Sequence, residues 1–255
     1  MNKINYKIFR LPFIAVFLIW LVFWIESKSG INFARFGIYP KDPKGLLGVP
    51  LSPFIHGNLE HLYNNSVPLF VLLLMMQYFY KKQTYFVIIV GVLLSGLITW
   101  LIGRPSFHIG ASGLIYVLVS FIFFKGVLTK NYQLSALSFI VVFLYGSMLW
   151  YIFPDIKEGM SWEGHLGGFI SGIVLAFVVD TPEEYKKVYK YDWEKPDFNP
   201  YKDPFMKHFD EKGNFVSNPH THTTTDENIK IKYVLIKEEE EKEILSDEDS
   251  QITNP

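Results

Sequence analysis

The sequence predicts an all-α polytopic membrane protein with six transmembrane helices and a charged C-terminal tail. Hydrophobic residues make up 49% of the 255 residues, and most of them lie in six apolar runs. Most of these runs approach the roughly 20 residues that a helix needs to cross ~30 Å of hydrocarbon. We therefore expect a six-helix bundle over residues 1–180. The runs cover residues 9–25, 62–80, 85–103, 112–124, 132–153 and 162–179.

The first run follows three basic residues, as the apolar core of a signal peptide does. The run contains Trp20 and Trp24, and no small-residue cleavage site follows it, so we expect a retained first span. Lys and Arg are more frequent in the loops on the N-terminal side, which places both termini in the cytoplasm. The chain has no cysteine, which excludes disulfides and Cys-based metal sites. These features favour a bacterial inner membrane.

Two segments interrupt the simple pattern of spans. Residues 26–53 form a long first loop rich in Pro and Gly, which predicts an irregular connection. This loop either plugs the bundle or contacts a substrate, and the sequence leaves both roles open. The run that starts at Ser112 is short because Lys125 ends it after about 13 residues. A recessed span is expected there, and a re-entrant segment is the alternative.

The tail, residues 181–255, changes character completely. It is rich in charged residues and proline and has little apolar surface to bury, so we expect a largely flexible cytoplasmic segment. Within it, residues 229–236 alternate apolar and basic side chains and predict a strand or a partner-binding segment. His220 and His222 stand among threonines and are expected to be solvated polar residues.

Polar side chains near the starts of three runs are candidate functional residues, because such groups are costly at membrane depth. His61 and Asn65 are four residues apart and share one helix face, with His56 just upstream. Together they offer donors for a developing oxyanion. Two alternatives remain, which are histidine ligation of zinc and a polar pair between helices.

A serine and a further histidine complete the set of candidates. Ser112 stands between glycines at a predicted helix start, where free N–H groups stabilise an anion. His165 begins the last run, and an adjacent base is what a serine nucleophile requires. No aspartate occurs in these spans, so a Ser–His dyad is predicted. Gly168 and Gly172 form a small-residue face that lets the last span approach the serine span.

Three motifs together resemble the signatures of the rhomboid intramembrane serine proteases. They are His56-x4-His61-x3-Asn65, Gly110-Ala111-Ser112-Gly113 followed by Tyr116, and Gly164-His165-Leu166-Gly167-Gly168. The resemblance implies that Ser112 is the nucleophile and His165 the general base. It assigns His61, Asn65 and the Ser112 N–H to an oxyanion hole.

The same resemblance places His56 in a supporting position and lets Tyr116 orient the imidazole. It implies single-pass membrane proteins as substrates, cleaved in or near the transmembrane segment. We expect no cofactor, no metal and no nucleic-acid partner, and a partner of the tail is left open. The first loop departs from many family members in lacking a Trp-Arg pair.

Two other functions are compatible with the residues. A proteolytically inactive rhomboid-like protein would bind or escort membrane clients. A membrane zinc enzyme or metal transporter would use His56, His61 and His165. The first predicts loss of the nucleophile or base, and both residues are present.

Overall fold

A computed structural model describes residues 6–154, 156, 159–186, 191–199, 202–210 and 212–217. The chain divides into two compact units, Met1–Val188 and Tyr189–Pro255. The first unit contains the six long helices, which confirms the predicted all-α bundle. These helices are α1 (Arg10–Ser29), α2 (Leu59–Phe79), α3 (Thr84–Ile102), α4 (Ser112–Thr129), α5 (Tyr132–Tyr145) and α6 (Trp162–Val178).

Length and apolar composition qualify four helical stretches to cross a membrane. They are Tyr6–Ser29, Thr84–Ile102, Ser112–Thr129 and Tyr132–Ile152, the last of which continues α5 into a 3₁₀ helix. Helix α6 is apolar but has only 17 residues. Helix α2 has 21 residues, and polar side chains in its first two turns and at Gln77 reduce its hydropathy. Together with the outward-facing aromatic rings described next, these helices define a multi-pass membrane protein.

Large apolar side chains cover the outside of the bundle. The rings of Phe13, Phe139 and Phe143 are 62%, 75% and 89% exposed. In water such a surface would favour aggregation, whereas the apolar chains of a lipid bilayer are a suitable solvent for it. The backbone amides of the spans are paired within the helices, as hydrocarbon requires.

Helix α4 lies at the centre of the bundle, and α6 packs closely along it. A Cβ added to Gly168 would lie 2.2 Å from the Gly113 carbonyl oxygen, and one added to Gly172 would lie 1.9 Å from Ser120 Oγ. Only glycine fits at these two positions, because any side chain would collide with the facing helix. The predicted close approach of the last span to the serine span is therefore confirmed.

The predicted end of the serine span at Lys125 is wrong. Helix α4 continues to Thr129, and the Lys125 side chain is only 7% exposed. Its ammonium group donates hydrogen bonds to the carbonyl oxygens of Ala176, at 3.1 Å, and Val179. Carbonyls at a helix C-terminus lack intrahelical partners, so a buried lysine is accommodated there. The charge that suggested a helix end instead caps a neighbouring helix.

The first loop is an ordered structure built from short turns of 3₁₀ and α-helix, including Gly48–Leu51. It is attached to the end of α3, since Trp100 Nε1 donates to the Asp42 carbonyl oxygen at 2.9 Å. Ile38 pairs with His108 in an isolated antiparallel bridge. The loop thus reaches the segment before Ser112, and its anchoring does not depend on a Trp-Arg pair.

Residues 218–255 lie outside the described part of the chain. The segment 229–236, His220, His222 and most of the tail fall in this range. Their predicted character stays a prediction.

Candidate active site

Three helix starts meet at one end of the bundle. Side chains cap two of these starts: Asn58 Oδ1 accepts the N–H of His61 at 2.8 Å, and Ser161 Oγ accepts the N–H of Gly164 at 3.2 Å. Such caps satisfy first-turn N–H groups that have no intrahelical acceptor. These caps therefore fix the starts of α2 and α6 within one turn of His61 and His165.

Ser112 is the first residue of α4 and is half-buried. The preceding Gly110 has a φ of +112°, a conformation that favours glycine. A Cβ at this glycine would lie 2.6 Å from His61 Nε2 and 3.5 Å from Asn65 Nδ2. The glycine thus brings the chain before Ser112 directly against the two predicted oxyanion donors.

The His165 imidazole is buried and fixed at one nitrogen. Its Nδ1 lies 2.9 Å from the carbonyl oxygen of Tyr151, in the 3₁₀ helix Gly146–Ile152. A carbonyl only accepts, so Nδ1 carries the proton and the neutral ring has its lone pair on Nε2. The two side chains of the predicted dyad make no hydrogen bond to each other in this structure. Catalytic hydrogen bonds in free enzymes are often long and shorten with substrate bound.

Tyr116 lies one turn after Ser112 on α4, and its ring stacks on the imidazole of His165. The ring centroids are 4.4 Å apart and the planes differ by 16°. The Tyr116 hydroxyl donates to the Met148 carbonyl oxygen at 2.5 Å. The same short 3₁₀ helix therefore holds both rings.

His56 lies in the segment between the first loop and α2, and its ring contacts the backbone on both sides. Its Nε2 accepts the N–H of Ala111 at 3.4 Å, and its Nδ1 lies 3.4 Å from the Phe54 carbonyl oxygen. Burial, with a contribution from His61, lowers the pKa of His56 to about 4, so the ring is neutral as these bonds require. His56 thus fixes the residue before Ser112.

His61 and Asn65 lie on the face of α2 that points to Gly110, before the start of α4. The rings of His61 and His56 are in edge-to-face contact at 5.0 Å. Asn65 is 5% exposed, and its Nδ2 has no hydrogen-bond partner among the described residues. A buried donor without a partner is unfavourable by about 1–3 kcal/mol, so such a group in a native protein calls for an explanation.

A second polar cluster, which the sequence analysis missed, lies beside the site. The Glu163 carboxylate is 1% exposed, pairs with Arg104 Nε at 3.4 Å and lies 4.0 Å from His108 Nδ1. Glu163 stands two residues before His165, and this proximity was the one sequence signal that could have indicated the cluster. Its partners come from the segment after α3, which shows no periodicity that would indicate burial.

A pocket opens on the side of Ser112 that faces α3 and the first loop. Polar side chains contribute much of its lining, among them Ser52, Ser95 and Thr99. Such a lining accommodates water or a polar backbone within the membrane domain. Among the described residues, no group of three or more His, Asp or Glu side chains is arranged to hold a metal ion.

Comparison with known proteins identifies the family of this chain. A family model described as the Rhomboid domain matches residues 44–181. An uncharacterized protein of Mycobacterium tuberculosis is 35% identical over 188 residues, which are 71% of this chain and 78% of that protein. An uncharacterized protein of Mycobacterium leprae is 31% identical over 181 residues, 68% and 72% of the two chains.

A further relative is a putative rhomboid protein of Acanthamoeba polyphaga mimivirus. It is 29% identical over 135 residues, which are 51% of this chain and 73% of the viral protein. The matched region of the family model contains α2 to α6, so it includes every candidate residue described above. The chain belongs to the rhomboid family.

Proposed function

We propose that the protein is an intramembrane serine endopeptidase that cleaves single-pass membrane proteins in or near their transmembrane segments. Ser112 is the nucleophile and His165 the general base in this proposal. The observation that carries it is the unpartnered, buried Nδ2 of Asn65 beside Gly110, at the start of the serine helix. An amide placed this way suits a negative charge that is present only during the reaction.

The reaction begins when His165 Nε2 takes the proton of the Ser112 hydroxyl as Oγ attacks the peptide carbonyl carbon. The hydrogen bond from Nδ1 to the Tyr151 carbonyl keeps Nε2 free for this proton and stabilises the imidazolium. The tetrahedral oxyanion accepts hydrogen bonds from Asn65 Nδ2, His61 and the free N–H of Ser112. Stacking on Tyr116 holds the imidazole plane in place.

The imidazolium then protonates the leaving amine, and the peptide C–N bond breaks to leave an acyl group on Ser112 Oγ. Water, deprotonated by His165, attacks the acyl carbon, releases the acid product and restores the serine. The polar pocket next to Ser112 offers space for this water. A transmembrane substrate unwinds before cleavage, because a helical peptide bond is hydrogen-bonded and covered by side chains.

The proposed location is a bacterial inner membrane with both termini in the cytoplasm. The lysines of the loops at the end opposite the site support this orientation, among them Lys81, Lys82 and Lys130. In this orientation Ser112 and His165 lie towards the outer side of the membrane. The natural partners in this proposal are single-pass membrane proteins, and the tail faces cytoplasmic partners.

The test is cleavage of a single-pass model substrate by the purified protein in liposomes. Ser112→Ala, His165→Ala and a chelator are measured in parallel. The proposal expects cleavage by the wild type, loss of turnover in both variants and no effect of the chelator. Binding of substrate without cleavage by a folded wild-type protein would favour the client-binding alternative, and inhibition by the chelator would favour a metal enzyme.

A further inference from the structure

The buried carboxylate of Glu163 connects two segments that lead to the candidate active site. Its Oε1 accepts the backbone N–H of Arg104 at 3.2 Å and lies 3.4 Å from that residue's Nε. Its Oε2 lies 4.0 Å from His108 Nδ1 and has no hydrogen-bond partner among the residues that the structure describes. A buried ion pair is weak evidence for stability, because desolvation opposes the attraction. The position of Glu163 next to His165 is therefore more informative about its role than its contribution to stability.

A series of hydrogen bonds runs parallel to this ion pair. His108 Nε2 donates to the Arg104 carbonyl oxygen at 3.2 Å, so the neutral ring accepts at Nδ1. The Ser161 hydroxyl donates to that Nδ1 at 2.6 Å and accepts the N–H of Gly164 at 3.2 Å. Burial lowers the pKa of His108, which favours the neutral ring. The chain of bonds ends at the residue before His165.

The other end of the connection leads to Ser112. The backbone of His108 pairs with Ile38 of the first loop. The next residues are fixed as well, since Gly110 N–H donates to the Ser52 carbonyl at 2.9 Å and Ala111 N–H donates to His56. The segment from Arg104 to Ser112 is thus held at several points.

We propose that Glu163 is a positioning residue, which together with Arg104 aligns the first turn of α6, and so the imidazole of His165, with the segment that carries Ser112. This inference rests on the proposed protease function. Glu163 touches no reacting atom in this role. It acts on the geometry between base and nucleophile, where a misplacement of about 1 Å lowers rates on the order of 10²-fold.

A purely structural role of the ion pair predicts that its removal lowers the melting temperature together with the activity, whereas a positioning role lowers the activity alone. Further along α6 than Glu163, the close contacts of Gly168 and Gly172 hold α4 and α6 together. In Glu163→Gln the remaining Arg104 side chain is partly exposed, so the helix pair is expected to stay assembled and thermal stability and substrate binding change little. A positioning role lowers kcat and kcat/KM by the same factor and leaves KM unchanged.

The experiment compares Glu163→Gln, Arg104→Gln and the double variant with the wild type in liposomes. Glu183→Gln is the matched control, because it neutralises an exposed carboxylate that pairs with Lys186 in the same unit. Cleavage gives kcat and KM, and a fluorophosphonate reagent reports the reactivity of Ser112 without any protein substrate. Apparent melting temperatures measure the fold.

Glu163→Gln is expected to lower kcat and the labelling rate by about 10- to 100-fold at unchanged KM. The double variant should be no slower than Arg104→Gln alone, because Glu163 acts through Arg104, whose side chain also donates to the Met160 carbonyl oxygen. Wild-type rates in Glu163→Gln, or losses that multiply in the double variant, would overturn the inference. If Glu163→Gln does not fold, Arg104→Lys decides the question, because it keeps a positive charge beside the buried carboxylate and changes only the geometry of the pair.

Failure of the proposed function gives a different pattern. A folded wild-type protein that neither cleaves nor labels at Ser112 overturns the protease function, and the positioning role with it. If the wild type, the control and Glu163→Gln are all fully active, the positioning role alone is overturned.

Discussion

The Tyr116 ring lies flat against the imidazole of His165, with 4.4 Å between the ring centroids. Each ring is also fixed at its edge by a carbonyl oxygen, that of Met148 for the phenol and that of Tyr151 for the imidazole. Both carbonyls belong to Gly146–Ile152. The orientation of the His165 imidazole thus depends on a stacking partner from α4 and on a short 3₁₀ helix after α5.

Tyr116→Phe and Tyr116→Ala should separate stacking from hydrogen bonding. Phenylalanine keeps the stacked ring and loses only the bond to Met148, so we expect a decrease in kcat of about 10-fold or less. Alanine removes the ring and releases the imidazole, with a loss of about 10²-fold. Liposome cleavage assays measure both. Equal losses in the two variants would contradict a role for the stacked ring.

Asn65→Leu should remove activity without loss of stability. The variant deletes one donor of the proposed oxyanion hole, which lowers kcat by about 10²–10³-fold. Because Nδ2 has no partner among the described residues, little native bonding is lost at that atom and the melting temperature should not fall.

Ser66→Ala is the matched control for Asn65→Leu. The neighbouring Ser66 hydroxyl donates to the Leu62 carbonyl oxygen at 2.7 Å and accepts from Trp20 Nε1 at 2.9 Å. Its removal should lower the melting temperature and leave kcat unchanged. The reverse pattern in the two variants would assign Asn65 to the fold and not to the chemistry.

Gly168→Ala should separate the two helices that carry Ser112 and His165. The added methyl would lie 2.2 Å from the Gly113 carbonyl oxygen and 2.9 Å from Tyr116 Cβ. We expect destabilisation of about 1–3 kcal/mol together with loss of cleavage. At Gly146 the added methyl would lie 3.4 Å from Val142 Cγ1, so Gly146→Ala should be far better tolerated in denaturation experiments.

Lys125→Met should destabilise the bundle at the end opposite the site. It leaves the carbonyls of Ala176 and Val179 without their donor, at a cost of about 1–3 kcal/mol. Lys130→Met, at an exposed position near the end of the same helix, is the control. Equal melting temperatures for the two variants would show that the buried ammonium group does not cap α6.

Acid should destabilise the protein partly through His56. Its pKa is lowered from 6.5 to about 4 in the folded chain, so between these values the unfolded state binds the additional proton. Stability therefore falls as the pH decreases from 6.5 towards 4. His56→Gln, which retains an acceptor and does not titrate, should show a smaller decrease in melting temperature over this range. An unchanged pH dependence in that variant would refute this assignment.

Several features of the site were predictable from the sequence because they follow local rules. The i, i+4 spacing of His61 and Asn65 places both on one helix face. The four-residue spacing of Gly168 and Gly172 indicated a close helix contact. Apolar runs of nearly membrane length indicated the helices themselves. Each of these rules operates within one segment of the chain.

The features that were missed depend on contacts between distant segments. Lys125 looked like the end of a span, and its partners lie about 50 residues later at the C-terminus of α6. Glu163 and Arg104 are 59 residues apart, so their pairing leaves no periodic signal. The 3₁₀ helix that holds His165 and Tyr116 continues an apolar run, from which its change of helix type could not be read.

The position of Lys125 also affects how the protein can move. Helices α4 and α6 touch through glycine at the level of the site, and the lysine joins them again at the far end of the bundle. Fastened at both ends, the two helices are expected to behave as a single rigid body. Under the proposed function, a movement that admits a substrate would then involve helices outside this pair, and Ser112 and His165 would keep their spacing.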